Sequence, residues 1–151
     1  MFKQVQVIVS LALLLALSGP LSAQTVGVRA GVSGDPDQFF IGGHLETQPL
    51  AERVTFRPNV EVGVGDDVTL VAINLELVYT IPIDNQPWSL YAGGGPAANV
   101  YSSRGRRGDG DVGGGLNFLL GAQHRGGLFG ELKVGAIDSP DIKLTIGYVF
   151  R

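Results

Sequence analysis

His44 and His124 are the only histidines in the 151 residues, and there is no cysteine. His44 lies two residues from Glu46. In a strand that spacing puts both side chains on one face, where an imidazole and a carboxylate could act as base and orienting group. A nucleophilic site would also need a serine within reach of the pair. The candidates, Ser102 and Ser103, fall far along the chain in a stretch with no histidine nearby, and His124 sits among turn-formers of its own. His44 beside Glu46 therefore reads as an internal hydrogen-bond partner, and no catalytic residue is expected. Without cysteine there is no disulfide, lipoprotein attachment or thiolate metal site. No phosphate loop, dinucleotide fingerprint or metal-spaced cluster appears, so no cofactor and no metal are expected.

The remaining chemistry lies in short polar stretches. Asp35, Asp37, Asp66, Asp67, Asp109, Asp111, Asp138 and Asp141 could offer carboxylate oxygens to divalent cations. Asp is also selected by tight turns for its geometry, which is the preferred reading. The longest such stretch, YSSRGRRGDGD (101–111), carries Arg104, Arg106, Arg107, Asp109 and Asp111. It is the best candidate for a surface contact. Its arginines could pair with phosphates. Arg107-Gly108-Asp109 spells a cell-adhesion tripeptide, which Gly-rich loops with Arg and Asp also produce by chance.

The elements that must position these residues have a period of two. First, the N-terminus is set aside. Lys3 precedes an apolar run, Val7–Leu17, too short for a membrane helix. Gly19 and Pro20 break it, and Leu21-Ser22-Ala23 offers a cleavage site. Residues 1–23 read as a secretory signal peptide. Residues 24–151 form one domain with 10 basic and 14 acidic residues, which argues against nucleic acid as a partner. Eight alternating segments follow, at 25–32, 38–47, 54–64, 69–81, 88–100, 112–123, 127–136 and 142–150. Each is near the length of a tilted membrane strand. Turn-formers such as GDPD, GDD, DNQP and DSPD separate them. Pro58 and Pro96 cannot donate to a ladder, so a bulge or strand end is expected at each. Short connections make neighbouring strands antiparallel, and a meander of eight can close on itself.

Sorting each segment by parity separates the charges. One face holds residues such as Val26, Phe39, Ile41, Phe56, Val62, Leu77, Tyr79, Trp88, Phe118, Leu132, Ile146, Tyr148 and Phe150, with no charge. The other holds Arg29, Arg57, Lys133 and Lys143 against Glu46, Glu61, Glu76 and Glu131, with His44, Asn59, Asn74, Asn117, Gln123, Thr145 and many glycines. A soluble lipocalin-like barrel would bury the apolar face around a small apolar ligand. A membrane barrel turns it to lipid and the polar face to the lumen. The size of the apolar face, its aromatics near strand ends and the balanced charges favour the second. The eight charges are expected to form a structural lumen network. Eight strands leave an interior that side chains can fill, so an open pore is not expected.

The whole of residues 24–151 resembles the small eight-stranded outer-membrane β-barrel proteins of Gram-negative bacteria, the OmpA/OmpX-like class. The carriers are the leader, the eight strands, the Gly-rich polar face, FRPNVEVG (56–63), LFGELKVG (128–135) and the terminal strand DIKLTIGYVFR. The resemblance implies an all-β, eight-stranded antiparallel up-and-down transmembrane β-barrel in the cell outer membrane. It also implies contact with outer-membrane lipid and a structural or surface-interaction role. Some barrels of this kind modify lipids, and the placement of His44 and His124 gives no sign of that. In the class, a closing aromatic pattern is recognised by the barrel-assembly machinery. Tyr148 and Phe150 match it, although Arg151 follows where the aromatic is usually last. With both termini in the periplasm, the 101–111 stretch faces outward, where lipopolysaccharide or another surface ligand would meet it.

Overall fold

A computed structural model of the chain describes residues 24–103 and 110–151. The expected signal peptide, and Arg104, Arg106, Arg107 and Asp109, lie outside the described residues. The eight strands are β1 (Thr25–Gly34), β2 (Gln38–Glu46), β3 (Val54–Val64), β4 (Val68–Pro82), β5 (Trp88–Ser103), β6 (Gly110–His124), β7 (Leu128–Ile137) and β8 (Ile142–Phe150). They form one closed antiparallel barrel in chain order. The seam between β8 and β1 runs from Val26 opposite Phe150 to Gly34 opposite Ile142. Closure gives every strand two neighbours and removes the edges an open sheet would expose. We call the end where β1 begins and β8 stops the near end, and the other the far end.

The strands follow the alternation because it keeps apolar and polar residues on separate sides of the pleat. β5 and β6 run further than expected. Tyr101 pairs with Asp111, and Val68 with Ser103. Ser102, Ser103 and Asp111 are therefore strand residues, and the expected 101–111 loop shortens to its central part. The two prolines also depart from expectation, since neither makes a bulge nor ends a strand. On β4–β5 the ladder lapses opposite Pro96, between Asn74–Ala97 and Leu77–Gly94, with the same register on both sides. On β2–β3 it lapses beyond His44–Asn59, and Thr47 N–H donating to Phe56 O at 3.1 Å keeps the register. Each proline omits one bond on one side only. Pro58 stays paired with Leu75 and Pro96 with Leu116.

Face polarity is that of a membrane barrel. Ile41, Leu77, Phe118, Leu120, Leu144 and Ile146 are each at least half exposed on the outside. All eight charged residues of the polar face are buried inside. The outward aromatics are unevenly placed. Tyr79, Trp88, Tyr148 and Phe150 lie toward the near end and Phe39 toward the far end. The strands carry no outward charge in this band, and such an apolar belt with interfacial aromatics suits a bilayer.

The interior also holds apolar groups, among them Phe40, Val78, Tyr91, Leu119, Phe129 and Val149. Four inward rings each stand over a glycine directly across the ladder: His44 over Gly27, Phe40 over Gly31, Tyr91 over Gly121 and Phe129 over Gly147. A Cβ at any of these glycines would run into the ring it supports. The glycines are thus the spaces that let rings fit a narrow barrel. Outward Gly130 is different, with only Thr145 O nearby, at 3.9 Å from an added Cβ.

This contrast gives a direct test. Gly147→Ala should destabilise the folded barrel by about 1–3 kcal/mol, the usual cost of overpacking, while Gly130→Ala should leave it within about 0.5 kcal/mol. Urea unfolding in detergent or lipid vesicles reads both. Equal effects would mean that the ring-over-glycine contacts do not set interior packing.

Candidate functional site

The polar interior is the largest concentration of chemistry among the described residues. Each of the eight expected residues enters by alternation, and each makes at least one ion pair. Glu61 on β3 meets three cations. Arg29 Nη1 lies 3.1 Å from Oε1, Lys133 Nζ 3.5 Å from Oε1, and Lys143 Nζ 2.5 Å from Oε2. Glu131 on β7 also meets three, with Arg29 at 3.4 Å, Arg57 at 3.5 Å and Lys133 at 3.7 Å. Glu76 takes Lys133 at 2.6 Å, and Glu46 takes Arg57 at 2.8 Å. Buried charges persist only when paired and hydrogen-bonded, and here each carboxylate serves more than one donor.

The partners are not the neighbours on the ladder. Arg57 faces Glu76 directly across β3–β4, yet its guanidinium turns to Glu46 and Glu131. Lys133 and Lys143 face each other across β7–β8. Like charges in that position repel, and Glu61 relieves them by receiving both.

Neutral groups complete the layer, and sequence reading did not foresee their links. Asn117 donates to Asn74 Oδ1 at 2.7 Å, Asn74 donates to Asn59 Oδ1 at 2.7 Å, and Asn59 donates to Glu76 Oε2 at 2.8 Å. Tyr91 O–H donates to Glu131 Oε2 at 3.0 Å. The inward aromatics cover the cations. Arg57 lies 4.7 Å from the Tyr91 ring centroid, Lys143 5.0 Å from Phe40 and Arg29 5.6 Å from Phe129, all within reach of cation–π attraction. Phe40 has the parity of His44 and Glu46, and Phe129 that of Glu131 and Lys133, so parity alone would have placed both rings inside.

Of the remaining expected residues only His44 joins this layer, with Nε2 3.8 Å from Glu46 Oε1. His44 accepts from Arg29 Nε at 3.4 Å and packs edge-on to Phe129. His124, at the near end, accepts from Gly126 N–H at 2.9 Å and packs edge-on to Trp88. The two histidines are thus engaged in separate structural contacts. No group of three or more metal-ligating side chains occurs among the described residues. Asp111 is exposed on β6. Tyr148 and Phe150 lie on the outside of β8 with ring centroids 5.3 Å apart.

The far mouth carries a second polar arrangement. The β7–β8 connection folds inward, burying Ser139 and Pro140. Asn99 Nδ2 donates to Asp138 O at 2.5 Å and to Ser139 Oγ at 3.2 Å, and Tyr101 O–H donates to Asp138 O at 3.1 Å. Gly113, Gly115 and Gly135 provide the room, since a Cβ at each would meet atoms of residues 138–140. The chain enters this bend through Ile137, at φ 66° and 81% exposed. A β-branched residue there is strained.

This architecture is the fold of the small eight-stranded outer-membrane barrels. Among solved structures, the N-terminal β-barrel domain of Pseudomonas aeruginosa OprF is similar with a TM-score of 0.61 and 14% identity, over 83% of this chain and 97% of that one. Neisserial surface protein A is similar with a TM-score of 0.63 and 15% identity, over 84% of this chain and 94% of that one. No protein family and no curated protein matches the sequence.

Glu61 is the place to perturb the layer. Glu61→Gln would leave Lys133 facing Lys143 and weaken the neutralisation of Arg29. Breaking a buried pair from one side costs about 3–5 kcal/mol, and urea unfolding should show a loss of that order. Adding Lys143→Met to Glu61→Gln should recover part of it. A loss below about 1 kcal/mol for Glu61→Gln would mean that Glu76, Glu131 or water, and not Glu61, neutralises the lysines.

Proposed function

We propose that the chain is an outer-membrane protein that crosses the bilayer with eight strands and acts as a structural or surface-interaction protein without catalysis. The observation that carries this reading is the distribution of charge: eight ionic side chains inside, an uncharged apolar belt outside. In water that arrangement would leave a large continuous apolar surface exposed, and in a bilayer it is the stable one. Export would use residues 1–23 as a signal peptide. The near end would face the periplasm and the far end the outside. The far end then presents Asp35, Asp37, Asp66, Asp67, Asp138 and Asp141 with the β5–β6 loop. Arg104, Arg106 and Arg107 of that loop are suited to lipopolysaccharide phosphates or another surface ligand, with Asp109 and Asp111 beside them. Tyr148 and Phe150, on the closing strand, are the residues the barrel-assembly machinery would read.

The interior supports a closed barrel. Ion pairs cross the lumen from β3 to β7, and eight strands give little more room than side chains fill.

The reading is tested by expressing the full chain and fractionating the cells, with gel mobility compared before and after boiling. Recovery in the outer membrane with a heat-dependent mobility shift is the expected result. Recovery as a soluble periplasmic protein without such a shift would overturn it and favour a ligand-carrying barrel with its faces reversed.

A further inference from the structure

The inward-folded β7–β8 connection is not needed to close the lumen, because the ion-pair layer lies beneath it. Its own construction is also unlike that of a fixed plug. The bend starts at Ile137, a β-branched residue in the left-handed region whose side chain is left 81% exposed. Both features oppose the folded-in position. What opposes them is a small set of neutral hydrogen bonds: Asn99 to Asp138 O and Ser139 Oγ, and Tyr101 to Asp138 O. The ladder beneath ends early. β7 pairs with β8 only as far as Val134 opposite Ile142, and Gly135 N–H to Asp141 O at 3.1 Å is the last bond before the bend. Residues 138–140 are thus outside both ladders, while Ala136 and Ile137 stay paired with Leu116 and Gly115 on β6. Beneath them lies a floor with little side chain, made by Gly113, Gly115, Gly135 and Ala97.

We propose that residues 138–140 are a reversible stopper, latched by Asn99 and Tyr101 and driven outward by the strained Ile137 at its root, whose release uncovers a glycine-floored vestibule at the far mouth. The two closures are then independent. The stopper controls access to the vestibule, and the charged layer seals the barrel below it whether the stopper is in or out. Release requires no change in the ladders, because the latch donors stand on β5 and the bend turns at Ile137, the last residue of β7 paired with β6.

The chain contains no cysteine, so a single reporter thiol can be read without background. Ala97→Cys is placed in the vestibule floor, and modification by a charged methanethiosulfonate reagent is timed on the full protein folded in detergent micelles. Heat-dependent mobility verifies folding of each variant. With the latch intact the thiol should react slowly. Replacing both donors, Asn99→Ala with Tyr101→Phe, should speed it at least tenfold. Ile137→Gly, which suits φ 66° and removes the exposed side chain, should slow it several-fold. A Thr145→Cys reporter in the charged layer should stay protected in every background. The proposal is overturned if Ala97→Cys reacts at one rate with and without the latch donors, or if Ile137→Gly speeds it. It is equally overturned if Thr145→Cys becomes reactive together with Ala97→Cys, since the barrel as a whole would then be opening.

Discussion

The charge on Glu61 is what the interior is arranged around. Eight ionic groups share a space too narrow for bulk water, and isolated charges there would be very costly. The structure meets this with carboxylates that each serve several cations, and Glu61 and Glu131 do most of that work. Other interior features follow from it. The cations must reach across the lumen, so they need long side chains. The rings of Phe40, Tyr91 and Phe129 fill the spaces beside those side chains and add attraction to their charged ends. Rings of that size fit only because glycine stands opposite Phe40, Tyr91 and Phe129. Gly31, Gly121 and Gly147 are therefore a consequence of packing ring-covered cations into a small barrel.

The strands were legible because their period is two almost without interruption. A barrel with one face in lipid and one in a polar lumen leaves a stronger parity signal than a buried sheet does. The inside charges were legible for the same reason, since a strand residue's face is fixed by its parity. Their partners were not. Lys133 and Lys143 are adjacent on the sheet, but the acid that receives both comes from β3, across the lumen. Contacts of that kind depend on strand tilt and stagger, which the order of residues along a strand does not encode. Pro58 and Pro96 misled for a different reason. A proline removes only the bond its own nitrogen would donate, and a strand paired on both sides can lose that bond without changing register.

The far mouth was the least legible part. DSPD reads as an ordinary turn, and nothing in those four residues signals that the loop turns inward. The signal lies elsewhere, in inward positions of β6 and β7 that carry only glycine: Gly113, Gly115 and Gly135. These glycines support no ring and leave room for another segment of chain, with Asp138 against Gly113, and Ser139 against Gly115 and Gly135. Tyr101 at an inward position near the strand end, with Asn99 two residues before it, marks where that chain is held.

The facing pair Lys133 and Lys143 bears on how the barrel is assembled. Hairpins are local and form early in many β-proteins, but the hairpin of β7 and β8 brings two ammonium groups together with no acid of its own to receive both. Only when β3 has come round the cylinder does Glu61 reach them. The last hairpin is thus frustrated until the circle is complete. The two contacts of Glu61 with these lysines join β3 to β7 and β8, so they stabilise the closed circle and are lacking in a partly wound sheet.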